Sequence, residues 1–164
     1  MSKTIENLKT AFAGESQANR KYLAFAEKAD NEGLPQVAKL FRAAAAAETI
    51  HAHTHLRLMK GIGSTAENLK EAISGESYEF QSMYPEMIKD AGEEGERAVE
   101  RYFGFANEAE KIHADLYTEA AEKMDQLEEA DYYVCSVCGH TLAGEPEGKC
   151  PICGAAAKAY FKVD

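Results

Sequence analysis

The chain of 164 residues has no tryptophan, four prolines and no cysteine before position 135. Each scarcity excludes something. With every cysteine between 135 and 153, disulfides do not staple the larger part of the protein, and in a reducing compartment such packing points to a metal. With only Pro35 and Pro85 between Thr4 and Glu129, little stops long helices there. No stretch approaches the ~18 consecutive apolar residues of a membrane span. The opening MSKTIENLKTAF lacks the apolar segment of a signal peptide. Export has no support, and the cytoplasm is the default expectation. Clustered positive charge is missing too: the net charge is −10, with cations scattered among acids. That sets aside binding to a phosphate backbone, so neither nucleic acid nor a membrane is expected as a partner.

What is present falls into two textures. Residues 1–130 are rich in Ala, Glu, Lys and Leu at a 3.6-residue period. Four helices are expected: Thr4 to Asp30, a second from LPQ to KGIG with Pro35 in its first turn, a third from STAENL to DAGEEG, and a fourth from Gly95 to Glu129. Pro85 should kink the third. Four helices of about 25–35 residues argue a bundle. Residues 131–164, DYYVCSVCGHTLAGEPEGKCPICGAAAKAYFKVD, replace that pattern with Gly, Pro, Cys and aromatics. So short a module cannot fold on a hydrophobic core alone.

The helical part is an internal repeat. AFAGES at 11–16 matches AISGES at 72–77, which sets Glu15 against Glu76 at an offset of 61. Glu48 and His51 match Glu110 and His113 at an offset of 62. Each half is then a helix pair, with one Glu on its first helix and Glu-x-x-His on its second. Residues i and i+3 share a helix face, so each Glu-x-x-His can converge on one point. Buried carboxylates are costly unless paired, which argues against duplicating them for stability. One Glu from each of two helices plus Glu-x-x-His from the other two is the ligand recipe of a di-iron or di-manganese carboxylate centre.

Glu79 breaks the symmetry, because its counterpart is Ala18. It shares a helix face with Glu76 and offers a seventh ligand. Among the other histidines of AETIHAHTHL, His53 points away from His51 and is expected to face solvent. His55 is read as a supporting or surface residue, not a ligand. Tyr22 and Tyr84 lie near the faces of Glu15 and Glu76, either as core aromatics or as hydrogen-bond donors to a ligand carboxylate. The run Ala43–Ala47 is read as close helix packing.

Cys135-x2-Cys138-x11-Cys150-x2-Cys153, with Gly139 and Gly154 after the two pairs, suits a tetrahedral thiolate site. The spacing does not choose the metal, and a structural zinc ribbon is the plain alternative. A redox centre elsewhere in the chain needs a source of single electrons, which favours iron.

The segments AFAGESQA, ETIHA, SGESYEFQSMYPEM, AEKIHA and YVCSVCG…GKCPICGA together resemble the rubrerythrin family over nearly the whole chain. The resemblance implies a mainly α fold, a ferritin-like four-helix bundle followed by a small rubredoxin-like metal-binding domain. It implies two non-haem irons in the bundle and one iron in the four-cysteine site. The implied activity is reduction of hydrogen peroxide to water, in defence against oxidative stress. The implied ligands are Glu15, Glu48, His51, Glu76, Glu79, Glu110 and His113, with Cys135, Cys138, Cys150 and Cys153 in the tail. One iron would exchange His51 for Glu79 on oxidation, with Tyr22 and Tyr84 lining the pocket; these four carry the chemistry. Electrons would come from an external donor such as rubredoxin or an NAD(P)H-dependent reductase. The alternative is a ferroxidase or iron-binding protein of the ferritin type, which would not require a redox tail. One departure stands out: His140 occupies a position that is aromatic in many relatives, and is expected to shift the tail's potential or docking without loss of the metal.

A ferritin-like order also needs a long crossover between the second and third helices. The connector would have to climb roughly 30 Å, whereas about five residues span at most ~20 Å. Either the helices run simply up and down, or the first helix pair of one chain completes the site on the second pair of another. A short hinge favours the swap, so a helix-swapped homodimer is expected.

Overall fold

The computed structural model describes residues 2–163. They form two compact units, Met1–Gly63 and Ser64–Asp164 by chain position. The first is a helix pair, α1 (Lys3–Asn31) and α2 (Pro35–Leu58). The second contains α3 (Thr65–Tyr78), a π-helical turn (Glu79–Met83), α4 (Tyr84–Glu93) and α5 (Arg97–Lys123). It ends in a three-stranded antiparallel sheet of β1 (Tyr132–Cys135), β2 (Thr141–Ala143) and β3 (Tyr160–Val163), in the order β2-β1-β3. No described helix is long and apolar enough to cross a membrane.

Local chemistry sets the boundaries. Ser2 caps α1 through its hydroxyl, Pro35 occupies the first turn of α2, and Ser64 with Glu67 forms a reciprocal capping box on α3. The repeat extends to the stop signals. Gly33 and Gly95, 62 apart, both adopt positive φ, at 74° and 78°. Just beyond them Leu34 N–H donates to Ala29 O and Glu96 N–H to Ala91 O, each at 2.9 Å. Both hairpins thus turn on the same glycine-terminated motif.

Alanine packs the first pair. Ala26, Ala29 and Ala38 are buried together against Phe41, and Ala45 and Ala52 continue the seam. Within the run Ala43–Ala47 only Ala45 is buried, so close packing belongs to one residue per turn and not to the run as a whole. Asn19 Nδ2 ties the helices by donating to Ala45 O at 2.7 Å and Thr49 Oγ1 at 2.9 Å.

Two boundaries differ from the sequence reading. At Pro85 the third expected helix passes through a π turn closed by Tyr84 N–H to Glu79 O. Pro85 has no N–H to close an ordinary turn, and widening the preceding turn by one residue absorbs the mismatch. The fourth helix ends at Lys123 and not at Glu129, because Met124 takes a positive φ of 45°. That turn lets the sheet fold back along α5, where Gly139 and Thr141 meet His113.

Candidate metal centres

Each helix pair assembles one ligand triad. In the first unit Glu15, Glu48 and His51 bring ligand atoms within 4.8 Å of one another, and in the second Glu76, Glu110 and His113 do the same. The two triads match in detail. His51 Nδ1 lies 3.1 Å from Glu48 and 3.9 Å from Glu15. His113 Nδ1 lies 2.7 Å from Glu110 and 3.9 Å from Glu76. The Tyr22–Phe41 ring pair, with centroids 6.2 Å apart, has its counterpart in Tyr84–Phe103 at 6.0 Å.

The protonation pattern shows what these groups lack in a bare protein. Burial, reinforced by the charge of Glu110, pushes the Glu76 carboxyl up to about 7. Glu110 is held low, chiefly by its hydrogen bond to His113, and the same bond pushes the His113 imidazole up. In the first unit Glu15 is raised by its hydrogen bond to Glu48, while Glu48 is lowered. Protons thus occupy places among converging carboxylates that a cation would otherwise take. Two carboxylates and an imidazole in each triad suit iron, and manganese or zinc on ligand chemistry alone.

The other expected residues take distinct positions. Glu79, at the start of the π turn, lies outside the close triad; burial and the charge of Glu110 raise its carboxyl. Tyr84 is raised by burial and then by Glu110 and Glu79, which places it beside the second triad. Tyr22 packs against Phe25 and Phe41, which also contact each other. No hydrogen bond from either tyrosine to a triad carboxylate is found among the described residues. His53 is exposed. His55 is half-buried, its Nδ1 has no hydrogen-bond partner, and its charge acts on Glu15.

The four cysteines form the third cluster. Cys135 and Cys153 sulfurs lie 3.7 Å apart, and those of Cys138 and Cys150 3.5 Å. A tetrahedron with metal–sulfur bonds of about 2.3 Å has edges of about 3.8 Å, so the cluster fits one ion. Burial would raise the Cys150 thiol, but the backbone amides of Cys153 and Ile152 and the Tyr160 hydroxyl bring it down to about 6. Burial pushes Cys138 up.

One contact was not foreseen. His113 Nε2 lies 3.2 Å from Gly139 O and 3.0 Å from Thr141 Oγ1. An Nε2–H donor fixes the tautomer that leaves Nδ1 free for a metal. Gly139 is bonded to Cys138, so a residue of the four-cysteine cluster stands one residue and one hydrogen bond from the histidine of the second triad. No spacing in the sequence signals this, since the partners are 26 residues apart.

The model for rubrerythrin matches residues 6–121, and that for the rubredoxin-like domain of rubrerythrin matches 133–162. Rubrerythrin-2 of Clostridium acetobutylicum is 38% identical over 92% of this chain and 91% of its own length. Nigerythrin of Nitratidesulfovibrio vulgaris is also 38% identical, over 92% of this chain and 81% of its own. Among solved structures, nigerythrin in a partially reduced state is 36% identical with a TM-score of 0.60, covering 99% of this chain and 88% of that one. Nigerythrin in its fully reduced, all-ferrous state gives the same identity and TM-score. The fold class is the one read from the sequence: mainly α, four ferritin-like helices ahead of a small rubredoxin-like domain. The chain carries the Glu/His residues of a di-iron carboxylate site and a rubredoxin-like four-cysteine site.

Proposed function

The chain belongs to the rubrerythrin family, and from that premise we propose that it is a cytoplasmic non-haem di-iron peroxidase, reducing hydrogen peroxide to water with electrons relayed through the iron of its four-cysteine site. Residues 1–130 act as the ferritin-like part and 131–164 as the rubredoxin-like part. The His113–Gly139 hydrogen bond carries the proposal, because a storage protein has no use for a cysteine site wired to a carboxylate site.

Glu15, Glu48, His51, Glu76, Glu110 and His113 would hold the iron pair, and Cys135, Cys138, Cys150 and Cys153 the single iron. When bound, the pair supplies two electrons, one per ferrous ion, for conversion of hydrogen peroxide and two protons into two waters. The residues then divide the work. His113 is held from behind by Gly139 and Thr141, so its imidazole stays in place. His51 has no hydrogen bond to Nε2 among the described residues, so no partner of the kind that backs His113 has to be broken for it to leave. Glu79 stands beside the second triad without belonging to it, and takes the place of His51 on oxidation. Tyr84 keeps its phenolic proton and offers an O–H donor at the pocket wall; Tyr22 holds the matching position in the first unit. An external one-electron donor, rubredoxin or an NAD(P)H-dependent reductase, restores the tail.

The assembly is proposed as a helix-swapped homodimer in which the first pair of one chain supplies its triad to the second pair of another. Two features support it: the connector, residues 59–64, is short, and α2 exposes Leu40, Ile50 and Leu58 at 69%, 65% and 63%. Inserting about fifteen Gly/Ser residues there should yield monomers by light scattering; a dimer unchanged at nanomolar concentration would count against the swap as the sole cause of dimerisation.

The function is tested anaerobically: reduce the iron-loaded protein fully, add stoichiometric hydrogen peroxide, and follow the visible spectrum with iron and zinc analysis. Prompt consumption of peroxide with reoxidation of the thiolate-iron chromophore is expected. A colourless tail holding zinc, or carboxylate iron indifferent to peroxide, would overturn the reading.

A further inference from the structure

The two units carry unequal charge. Residues 1–63 hold nine Lys or Arg against six Asp or Glu, a net of +3, whereas residues 64–164 hold nine against 22, a net of −13. The units are near copies in their ligands and their glycine turns, so shape alone would let each close on its own kind. Like pairing joins +3 to +3 or −13 to −13, and unlike pairing joins opposite signs. A bundle of two first units would also lack Glu79, whose counterpart is Ala18.

One pair of side chains marks where that selection acts. In the ferritin-like order of the proposed dimer, α1 of one copy and α3 of the other run antiparallel about Glu15 and Glu76. A residue some places after Glu15 then lies level with the residue as many places before Glu76. Lys21 is six after and Glu71 five before, so their heights differ by about 1.5 Å. At about 100° per residue they stand about 120° and 140° round from their ligands in the same sense, on corresponding flanks. On α1 that flank is turned away from Asn19, which reaches α2. Both side chains are exposed, and neither has an ion-pair partner among the described residues.

We propose that charge selects the pairing of copies: Lys21 on α1 of one copy meets Glu71 on α3 of a second, and opposite charge favours unlike helix pairs over like ones. The inference rests on the homodimer proposed above and deepens it. An exposed ion pair adds little affinity. Its effect is to exclude the wrong partner, since like charges set face to face oppose assembly.

The test mixes two full-length variants, Lys21→Glu and Glu71→Lys, one of them isotope-labelled. They are combined in urea, refolded together at about 0.1 M salt, where contacts are felt and distant charges screened, and weighed by native mass spectrometry. Each variant alone opposes like charges at both contacts of its dimer, while the mixed dimer restores opposite charges at both. The mixed dimer should rise from the statistical share of about one half to above about four-fifths, and fall back towards one half at about 1 M salt. A statistical share at low salt overturns the proposal and leaves the dimer standing. An excess that salt does not reduce overturns charge as the selecting force. A wild-type chain that stays monomeric overturns the homodimer itself, and the proposal with it.

Discussion

The two helix pairs carry the same three ligand types at matching distances, the same Tyr–Phe ring pair and the same glycine turn, yet they treat their histidines differently. The His51 side chain is 55% exposed and that of His113 25%. His113 has two partners behind it, and Glu76 is less exposed than Glu15, at 22% against 31%, while Glu48 and Glu110 match at 18%. Duplication gave two copies of a ligand set. The rubredoxin-like sheet backs the histidine of one copy with Gly139 and Thr141, and among the described residues no such partner stands behind His51. The proposed exchange of His51 for Glu79, with the other ligands kept, calls for such an inequality.

The largest effect should come from removing a ligand outright. Glu110→Ala breaks its hydrogen bond with His113 as well as the metal contact. Peroxide turnover should fall by at least about a hundredfold, with the tail's visible spectrum intact. Full activity in that variant would overturn the ligand set. A narrower test sets the two histidines against each other. His113→Ala should cost more turnover and more bound iron than His51→Ala, because the His113 side chain is the less exposed and has Gly139 and Thr141 behind it, while the proposed exchange lets Glu79 take over from His51. Equal losses in steady-state assays would mean that the two halves are equivalent.

Protons give the next effect. Glu76 is raised in the folded protein to about 7. As a carboxyl with a raised value, it contributes stability to the metal-free fold that is full below about 4.5 and lost as pH rises through about 7. Metal displaces that proton, so the sign reverses on binding. Affinity of the second triad should weaken as pH falls below about 7, by about tenfold per unit for each proton released. Manganese titration of metal-free protein at two pH values, with proton release recorded, checks this. Uptake independent of pH would place the metal elsewhere.

Most of this comparison was legible in the sequence, because ligand identity, repeat offset and cysteine spacing are all one-dimensional. The π turn, too, leaves a trace in the sequence. Glu15 to Tyr22 spans seven residues while Glu76 to Tyr84 spans eight, and that one-residue excess is the π turn at Glu79–Met83. An insertion inside a helix shows only as a change of offset, and a proline at its end suggests a plain kink just as well. The early end of α5 and the His113–Gly139 contact left no such trace. They follow from where the sheet packs on the helix, which is tertiary information.

The smallest expected effect isolates that packing. Thr141→Val keeps the volume but removes the hydroxyl 3.0 Å from His113 Nε2, along with its own bond to Gly139 O at 3.1 Å. His113 retains the Gly139 carbonyl, so the ring should hold its tautomer and the iron content should not change. The carbonyl, relieved of one donor, still accepts from His113. Reoxidation of the thiolate-iron chromophore after peroxide should therefore slow by no more than about tenfold, below the range for losing an outer partner entirely. The same substitution should not touch the proposed exchange of His51, since Thr141 contacts His113 and belongs to the second unit. A rate unchanged at equal iron content would make this contact packing alone, and the inequality of the two histidines would then rest on burial and not on the bond to the sheet.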